Sequence, residues 1–247
     1  RSFILDNSKS NFYDKLRLFN SVEGLQIVVH SKWLKGLVAK SFLKDIPIHH
    51  IPSGIDIEAF KPTTKASFSL NAGKKTILGV ASTWDKRKGL DDFNRLYHLL
   101  PSNYQLVLIG LSGDQQKSLP PGIIGLQRTE SIEDLVEWYS AAEVFVNPTW
   151  QDNFPTTNIE ALACGTPVVT YDTGGSPESI DHQTGFVVNK GDIAGLWKCI
   201  QEVCKKGKDH YRPLCRQRAE DFFNKDDRYM DYLALYEEMA RKTHQIE

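Results

Sequence analysis

Residues 151–180, with the sequence QDNFPTTNIEALACGTPVVTYDTGGSPESI, constrain the fold more than any other part of the chain. Pro155 suits the first turn of a helix, and Asn153 is placed to cap that helix. Gly165 is placed to end it, and the apolar run 168–170 predicts a buried strand directly afterwards. A helix packed this closely on the following strand is typical of an α/β layer, in which the start of the helix faces the strand ends where ligands bind.

Two carboxylates flank the start of the predicted helix. Asp152 precedes it and Glu160 lies inside it, a separation of about 12 Å along a continuous helix. They are therefore too far apart to share a proton, but they can bind two separated hydroxyl groups of one elongated ligand, with helix N–H groups available for an anion between them. The alternative is that Asp152 caps the helix and Glu160 is solvated. The spacing alone favours this alternative, because helix starts attract acidic residues.

The whole stretch resembles the donor-binding signature of retaining glycosyltransferases of family four, a group 1 family of GT-B type. In that signature two glutamates flank seven residues, and a helix, an ACG turn and a PVV strand follow. The matching positions are Asp152, Phe154, Pro155, Glu160, Ala161, Ala163, Cys164, Gly165, Pro167, Val168, Val169, Gly174, Gly175, Pro177, Glu178 and Gly185. Asp152 replaces the first glutamate, which in the family approaches the donor sugar, whereas Glu160 stands where the second holds the ribose. The resemblance also implies that the donor is bound by Asn153, Phe154, Pro155, Thr156 and Thr157.

A basic segment follows the predicted strand 76–81. Arg87 and Lys88 lie in the loop after this strand, where doubly wound sheets bind ligands, and they can clamp a diphosphate. The alternative is a solvated basic turn. Lys88 and the glycine after it resemble a Lys-Gly step of the family, which implies the clamp, and Thr83 stands where the family often has a further arginine.

Two further positions are donor-binding candidates through the resemblance. Gly110 ends the apolar strand 104–110, which in the family lies beside the base of the nucleotide. The residues after the short strand 123–126 correspond to a family loop that packs on this base. Among residues 127–129, Arg128 is the donor-binding candidate.

Charge and composition exclude other classes of function. Lysine and arginine number 30 against 31 aspartates and glutamates, so no global charge favours nucleic acid. The four cysteines have no CxxC spacing and the seven histidines are scattered, so we expect reduced thiols, no metal site and no cofactor beyond a nucleotide diphosphate sugar as co-substrate. No run of about 18 apolar residues occurs. We expect a cytoplasmic protein, with peripheral contact at the inner face of the membrane left open.

Strands and helices alternate from residue 76 onward, which predicts a doubly wound, Rossmann-like parallel sheet with helices on both faces. The resemblance implies that residues 1–60 are the end of an acceptor domain with the crossover. Residues 61–227 would then form the nucleotide-sugar-binding domain, and 228–247 a helix packing back on the acceptor side. The chain begins with Arg1, and we expect about a hundred further residues upstream in the complete enzyme.

Local patterns give further predictions about core and turn positions. Ser31 is placed to cap a helix, Asp192 another, and Gly54 fits a turn position with positive φ. The apolar stripe of the helix after Ser31 is predicted to be core: Trp33, Leu34, Leu37, Val38 and Phe42. Ser131, with Asp134 three residues later, forms a capping-type helix start. The helix that follows is predicted to bury Ile132, Leu135, Trp138 and Tyr139. A last helix, residues 228–241, is predicted to pack through Tyr229, Tyr232, Leu233, Tyr236 and Met239.

The functional hypothesis is retaining transfer of a sugar from a UDP- or GDP-linked donor to a glycan or lipid-linked acceptor, in surface polysaccharide synthesis. Its catalytic candidates are Asp152, Glu160, Arg87 and Lys88. One alternative is a module that binds a nucleotide sugar without transferring it, and another is a nucleotide-sugar epimerase on the same fold. We expect the 247-residue chain by itself to be poorly active, because transfer also needs the facing acceptor domain.

Overall fold

The computed structural model describes residues 6–65, 68 and 73–244. Two strands form a small parallel sheet, β1 (Ile27–Val29) and β2 (Ile48–His50). Six strands form the main sheet: β3 (Lys75–Val80), β4 (Tyr104–Ile109), β5 (Ile123–Leu126), β6 (Val144–Asn147), β7 (Val168–Tyr171) and β8 (Gly185–Val188). The helices are α1 (Ser8–Asn20), α2 (Lys32–Val38), α3 (Leu90–Tyr97), α4 (Gly113–Ser118), α5 (Ile132–Ala141), α6 (Thr156–Ala163), α7 (Ile193–Lys206), α8 (Lys208–Phe223) and α9 (Lys225–His244). Single 3₁₀ turns span Lys86–Lys88 and Ser176–Ser179.

The main sheet is parallel throughout and has the strand order β5-β4-β3-β6-β7-β8. Its strands are short apolar runs because both faces are covered by helices, and Ile77, Leu106 and Val168 are fully buried. The predicted doubly wound, Rossmann-like sheet is therefore confirmed. The strand order reverses between β3 and β6, and in such sheets the crevice outside the strand ends at this point is where ligands bind.

The prediction that the apolar stripe of α2 is core was wrong. Trp33 is 38% exposed and Leu37 48% exposed, and α2 contains no buried residue. The local prediction that Ser31 caps this helix is confirmed, because its hydroxyl accepts from the N–H of Leu34. In the described part of the chain, α2 contacts both strands of the two-stranded sheet, and the other residues of the stripe, Leu34, Val38 and Phe42, are half-buried.

Gly54 was predicted to need positive φ, and this was wrong, since its φ lies outside the left-handed region. Glycine is required there by close packing instead. A Cβ on Gly54 would lie 2.6 Å from the Cα of Lys225. Next to it, Ile55 pairs with Asn224 in an isolated bridge, so the crossover segment is held directly against the start of α9.

The C-terminal helices differ from the predictions. Helix α8 was not predicted, because Pro213 lies inside it and its apolar pattern is weak. Helix α9 starts at Lys225, and its packed side contains Leu235, which lines a groove with Ile48 and Ile51 beside β2. Three of the side chains predicted to pack are instead more than half exposed: Tyr229, Leu233 and Tyr236.

Ile132 was predicted to be buried with the apolar side of α5, but it is 53% exposed. It occupies the first helical position, whereas the buried residues of α5 lie later in the helix and include Trp138 and Tyr139. The domain boundaries proposed from the sequence stay a prediction. Across the described residues, no helix has the length and apolar character needed to cross a lipid bilayer.

Candidate functional site

A cleft of about 460 Å³ lies at the carboxyl ends of the central strands, where the strand order reverses. The loop after β3 contributes Lys88, and the loop after β6 contributes Asp152. The sequence candidates that line this cleft are Lys88, Gly110, Arg128, Asp152, Phe154, Pro155, Thr156, Thr157 and Glu160. Segments far apart in sequence thus bring nine of the twelve candidates to one place.

The start of α6 forms one wall of the cleft. Pro155 occupies the capping position of this helix, and the prediction that Asn153 caps it was wrong. Asn153 is exposed, and its backbone carbonyl packs against Gly175, where a Cβ would come within 2.0 Å of it. Because no side chain caps α6, its first N–H groups, at Thr156 and Thr157, face the cleft without a partner inside the helix. The positive end of the helix dipole is therefore available to an anion.

The buried side of α6 is held by side-chain hydrogen bonds. The Asn158 amide donates to Ser179 (2.9 Å) and Ser176 (3.1 Å), and its oxygen accepts from the amide of Asn147 at 2.8 Å. The predicted end at Gly165 is confirmed by its φ of 74°. Since the C-terminal end of α6 and its buried side are held, the helix presents its first turn to the cleft in a defined direction.

Lys88 and Asp152 form an ion pair across the cleft. The Lys88 ammonium lies 2.6 Å from Oδ2 of Asp152, and their side chains are 31% and 15% exposed. Lys88 ends a 3₁₀ turn that is capped by Asp85, whose Oδ1 accepts from the N–H groups of Arg87 and Lys88. This turn directs the Lys88 side chain toward the loop after β6.

Arg87 and Thr83 lie outside the cleft. The Arg87 guanidinium binds Oδ2 of Asp85 at 2.8 Å and is 64% exposed, and these hydrogen bonds lower the pKa of Asp85. Arg87 lines a different groove beside Trp150. The Thr83 hydroxyl is exposed and donates to the carbonyl of Ser82. The structure therefore separates Arg87 and Thr83 from Lys88, and any role for them in donor binding stays a prediction.

Glu160 is partly buried in the wall of the cleft, and the alternative of a solvated helix residue does not hold. The Tyr139 hydroxyl donates to its Oε2 at 2.8 Å. Burial raises the pKa of Glu160, an effect that the hydrogen bonds from Tyr139 and Thr156 partly offset. Burial and the neighbouring Glu160 carboxylate raise the pKa of Tyr139 well above its usual value, so this phenol remains a hydrogen-bond donor.

The opposite end of the cleft contains Gly110 and Arg128. Gly110 has a φ of 100°, and a Cβ there would lie 1.6 Å from the carbonyl oxygen of Ala81, so only glycine allows β3 and β4 to approach this closely. Arg128 and its two neighbours form the rim. Among the described residues, no three or more His, Cys, Asp or Glu side chains are grouped so that they could hold a metal ion.

Sequence reasoning missed two residues that shape the cleft. Trp84 lines it and donates through Nε1 to the carbonyl of Ile109 at 2.9 Å. Its position directly after β3, in the same loop as Lys88, was the available signal. Tyr139 was assigned to the core by its helical spacing, and no sequence pattern indicates its bond to Glu160, 21 residues away.

Solved structures of glycosyltransferases of GT-B type share this fold. The chain superposes on sucrose-phosphate synthase from Thermosynechococcus elongatus with a TM-score of 0.83 and 23% identity, over 97% of this chain and 64% of that one. It superposes on Anabaena Alr3699/HepE, solved in complex with UDP-glucose, with a TM-score of 0.70 and 16% identity, over 96% and 68% of the two chains. At these identities the superpositions establish the fold alone.

The chain is also similar in sequence to glycosyltransferases with named substrates. It is 28% identical over 185 residues to a D-inositol 3-phosphate glycosyltransferase of Mycobacterium sp. (strain KMS), covering 68% of this chain and 42% of the relative. It is 27% identical over 180 residues to a GDP-mannose-dependent monoacylated alpha-(1-6)-phosphatidylinositol monomannoside mannosyltransferase of Corynebacterium glutamicum, covering 62% and 46%. The chain thus spans less than half the length of these two relatives. The family model for glycosyl transferases group 1 matches residues 74–206, which is more than half of the chain, and the chain belongs to this family.

Proposed function

We propose that this chain is the donor-binding part of a retaining glycosyltransferase and that its cleft binds a nucleotide diphosphate sugar. The observation that carries the proposal is the meeting of Lys88, the open start of α6 and the Glu160 carboxylate in one cleft at the strand-order reversal. Each of these three features suits a different part of such a donor.

The diphosphate lies between Lys88 and the start of α6. Breaking the bond between the sugar and the diphosphate places additional negative charge on the leaving phosphate oxygen. The ammonium of Lys88 and the N–H groups of Thr156 and Thr157 stabilise that charge, because positive groups fixed in advance need little reorganisation during the reaction. In this proposal these groups take the place that a metal ion has in other phosphate sites.

The nucleoside part extends along the wall formed by Glu160 and Gly110. Glu160 accepts hydrogen bonds from the ribose hydroxyls, and the base lies toward Gly110 and Arg128, which also line the cleft. Both UDP and GDP fit this assignment. Alr3699/HepE was solved with UDP-glucose, and the Corynebacterium relative is named as dependent on GDP-mannose, so the nucleotide has to be determined by binding.

Asp152 lies at the sugar end of the donor. Asp152 is paired with Lys88. In this proposal its carboxylate therefore lies beside the diphosphate and accepts a hydrogen bond from a hydroxyl of the attached sugar. In the reaction the bond from the anomeric carbon to the phosphate breaks, and a bond to the acceptor oxygen forms on the same face of the sugar. The departing phosphate oxygen takes the proton of the acceptor, so no protein nucleophile is assigned.

We propose a glycan or lipid-linked saccharide as the acceptor, surface polysaccharide synthesis as the process, and the cytoplasmic side of the membrane as the place. The names of two relatives include an inositol phosphate and a phosphatidylinositol monomannoside, which supports a polar, hydroxyl-rich acceptor. In this proposal a second domain supplies the acceptor site, as the short span of the relatives covered by this chain suggests.

A paired assay tests the proposal. UDP- and GDP-sugars are titrated calorimetrically into the 247-residue chain and into a longer protein that contains it, and transfer of radiolabelled sugar is measured with both. We expect donor binding by both and transfer by the longer protein only, because orientation of the acceptor contributes several kcal/mol to catalysis.

Three outcomes would change the proposal. Absence of donor binding by both proteins would overturn it. Binding without transfer by either would favour the non-catalytic module, and conversion of the donor sugar into an isomer would favour the epimerase.

A further inference from the structure

Tyr139 contacts Glu160 from the side opposite to the cleft. It is fully buried (0% exposed), and its hydroxyl donates to Oε2 of Glu160 at 2.8 Å. Glu160 lines the cleft, whereas Tyr139 does not. Any effect of Tyr139 on a bound ligand therefore passes through the Glu160 carboxylate.

The position of Tyr139 is itself fixed at its backbone. The carbonyl oxygen of Tyr139 accepts from the Thr166 hydroxyl at 2.6 Å and from the Lys208 ammonium at 3.2 Å. Lys208 also donates to the carbonyls of Ser140 and Ala142, each at 2.5 Å. The end of α5 is thus tied to α8 and to the turn before β7, and the phenol has little freedom to move away from Glu160.

Two side chains of the described residues donate to this carboxylate, Tyr139 and Thr156. Thr156 lies one turn earlier on α6, and its hydroxyl also stabilises the charged form of Glu160. The thiol of Cys164, at the end of the same helix, is held neutral, since burial raises its pKa to about 12. Two charged side chains of α8 act on this region. Lys208 donates to backbone carbonyls, and Arg216 donates to backbone carbonyls and to the carboxylate of Glu220.

A carboxylate has about four acceptor positions, so two donors from the protein leave positions free for a ligand. A donor at Oε2 also fixes the rotation of the carboxylate. It stabilises the charged form of Glu160, which burial disfavours. Neutral hydroxyl groups of a ligand bind best to that charged, correctly rotated form.

We propose that Tyr139 is a positioning residue for donor binding: it holds Oε2 of Glu160 so that the carboxylate faces the ribose hydroxyls of the nucleotide. The proposal rests on the proposed function, because it assigns the ribose to Glu160. It adds a residue that touches no ligand but determines how strongly the ribose is recognised and over which pH range.

The test uses Tyr139→Phe, which keeps the ring and its packing against Phe145 (centroid distance 5.4 Å). UDP, GDP and their 2′-deoxy forms are titrated calorimetrically between pH 5 and pH 8. Of UDP and GDP, the one that wild type binds more tightly should bind Tyr139→Phe about tenfold more weakly than wild type at pH 7, because a hydrogen bond to a charged group is lost. The preference of the variant for this nucleotide over its 2′-deoxy form should also be smaller than that of wild type. The fall of affinity at low pH should begin about one pH unit higher, because the charged form of Glu160 has lost a donor.

Tyr211→Phe is the matched control. Tyr211 is 1% exposed and its buried hydroxyl has no hydrogen-bond partner among the described residues, so its removal should leave both affinity and pH profile unchanged. In a Glu160→Gln background, Tyr139→Phe should no longer move the pH profile, because position 160 no longer titrates.

The outcomes separate this proposal from the proposed function. If wild-type protein binds neither nucleotide, the proposed function fails. If wild type binds and Tyr139→Phe retains both the affinity and the pH profile, the positioning role is overturned. If Tyr139→Phe does not fold, Tyr139→3-fluorotyrosine replaces it, because it keeps the hydroxyl and makes it a stronger hydrogen-bond donor. In that variant the loss of nucleotide affinity on acidification should begin at a lower pH than in wild type. If the pH at which affinity is lost does not change in the 3-fluorotyrosine variant, the positioning role is overturned as well.

Discussion

The Lys88 ammonium lies 2.6 Å from Oδ2 of Asp152, and this ion pair joins the loop after β3 to the loop after β6. These two strands are neighbours in the sheet although 64 residues separate the paired side chains. A second contact supports the first, since the N–H of Trp150 donates to the carbonyl of Arg87 at 2.6 Å. In the free protein each charge therefore compensates the other at the place where we put the diphosphate and the sugar.

Lys88→Ala should weaken binding of a nucleoside diphosphate far more than binding of the nucleoside. The expected loss is about 1.5 to 3 kcal/mol, the usual range for hydrogen bonds to charged groups. Calorimetric titration of UDP, GDP, uridine and guanosine measures the difference. Lys86→Ala is the matched control, because Lys86 belongs to the same 3₁₀ turn but lines the groove beside Trp150. Equal losses for nucleoside and diphosphate would contradict the clamp.

Asp152→Ala should have the opposite selectivity. Without Asp152 the ammonium of Lys88 loses its partner and is free for the diphosphate, so affinity for UDP or GDP should not fall. Affinity for the sugar-bearing donor should fall, because a hydrogen bond to the sugar is lost. Titrating both kinds of ligand into the same variant provides the internal comparison. A parallel loss for nucleotide and nucleotide sugar would place Asp152 at the diphosphate instead.

Glu160 should make the folded protein less stable as the pH rises. Burial raises its pKa above the usual 4.5, so in the window just above pH 4.5 the folded state binds the proton more tightly than the unfolded state. The stability that this proton provides is complete below the unfolded pKa and is lost as the pH rises through the folded one. In denaturant unfolding from pH 4 to pH 8, Glu160→Gln should therefore gain stability relative to wild type with rising pH. The exposed Glu202 supplies the control Glu202→Gln, and parallel curves for wild type and Glu160→Gln would refute the effect.

The fold was predictable from the sequence because its signals are local. Parallel strands buried on both faces produce short apolar runs, and side chains cap helices only a few residues away. The predicted caps Ser31, Ser131 and Asp192 are all confirmed by hydrogen bonds to N–H groups three residues later. The burial of α2 and α9 was not predictable in this way, because it depends on which other segment covers each face.

The site was predictable in its position but not in the direction of its side chains. Arg87 and Lys88 are adjacent basic residues, and a 3₁₀ turn rotates consecutive side chains by about 120°. Only one of the two side chains can therefore face the cleft. The ion pair with Asp85 holds the Arg87 side chain outside the cleft. The hydrogen bond from Tyr139 to Glu160 is equally a product of tertiary packing, since it joins α5 to α6.

Lys208 should contribute a rise of stability above neutral pH. Burial lowers its pKa to about 7 from the usual 10.5, so above pH 7 the unfolded state binds the proton more tightly than the folded state, and stability increases toward pH 10.5. The slope is at most about 1.4 kcal/mol per pH unit. Unfolding of Lys208→Met and wild type between pH 7 and pH 9 should show wild type gaining relative to the variant. The exposed Lys205 gives the control Lys205→Met, and a constant difference between Lys208→Met and wild type would disprove the shift.

Glu178 connects the first part of the chain to the cleft. Its two carboxylate oxygens accept from the N–H groups of Lys32 (2.7 Å) and Trp33 (2.8 Å), at the start of α2. The preceding turn is locked to the cleft loop, since the N–H of Gly175 donates to the carbonyl of Asp152 at 3.3 Å. A negative group at a helix start satisfies free donors and interacts favourably with the helix dipole.

Glu178→Ala should therefore cost about 1 to 2 kcal/mol, the upper part of the range for losing a helix cap, and the cost should fall on α2. Hydrogen exchange of the Lys32 and Trp33 amides should accelerate, while the amides of β3 and β4 stay protected, because the main sheet does not depend on this contact. Glu178→Gln keeps one acceptor oxygen and should lie between wild type and Glu178→Ala. Glu202→Ala, on an exposed position of α7, controls for the loss of a carboxylate elsewhere. Unchanged exchange at Lys32 and Trp33 in Glu178→Ala would show that the carboxylate does not hold α2 against the cleft loop in solution.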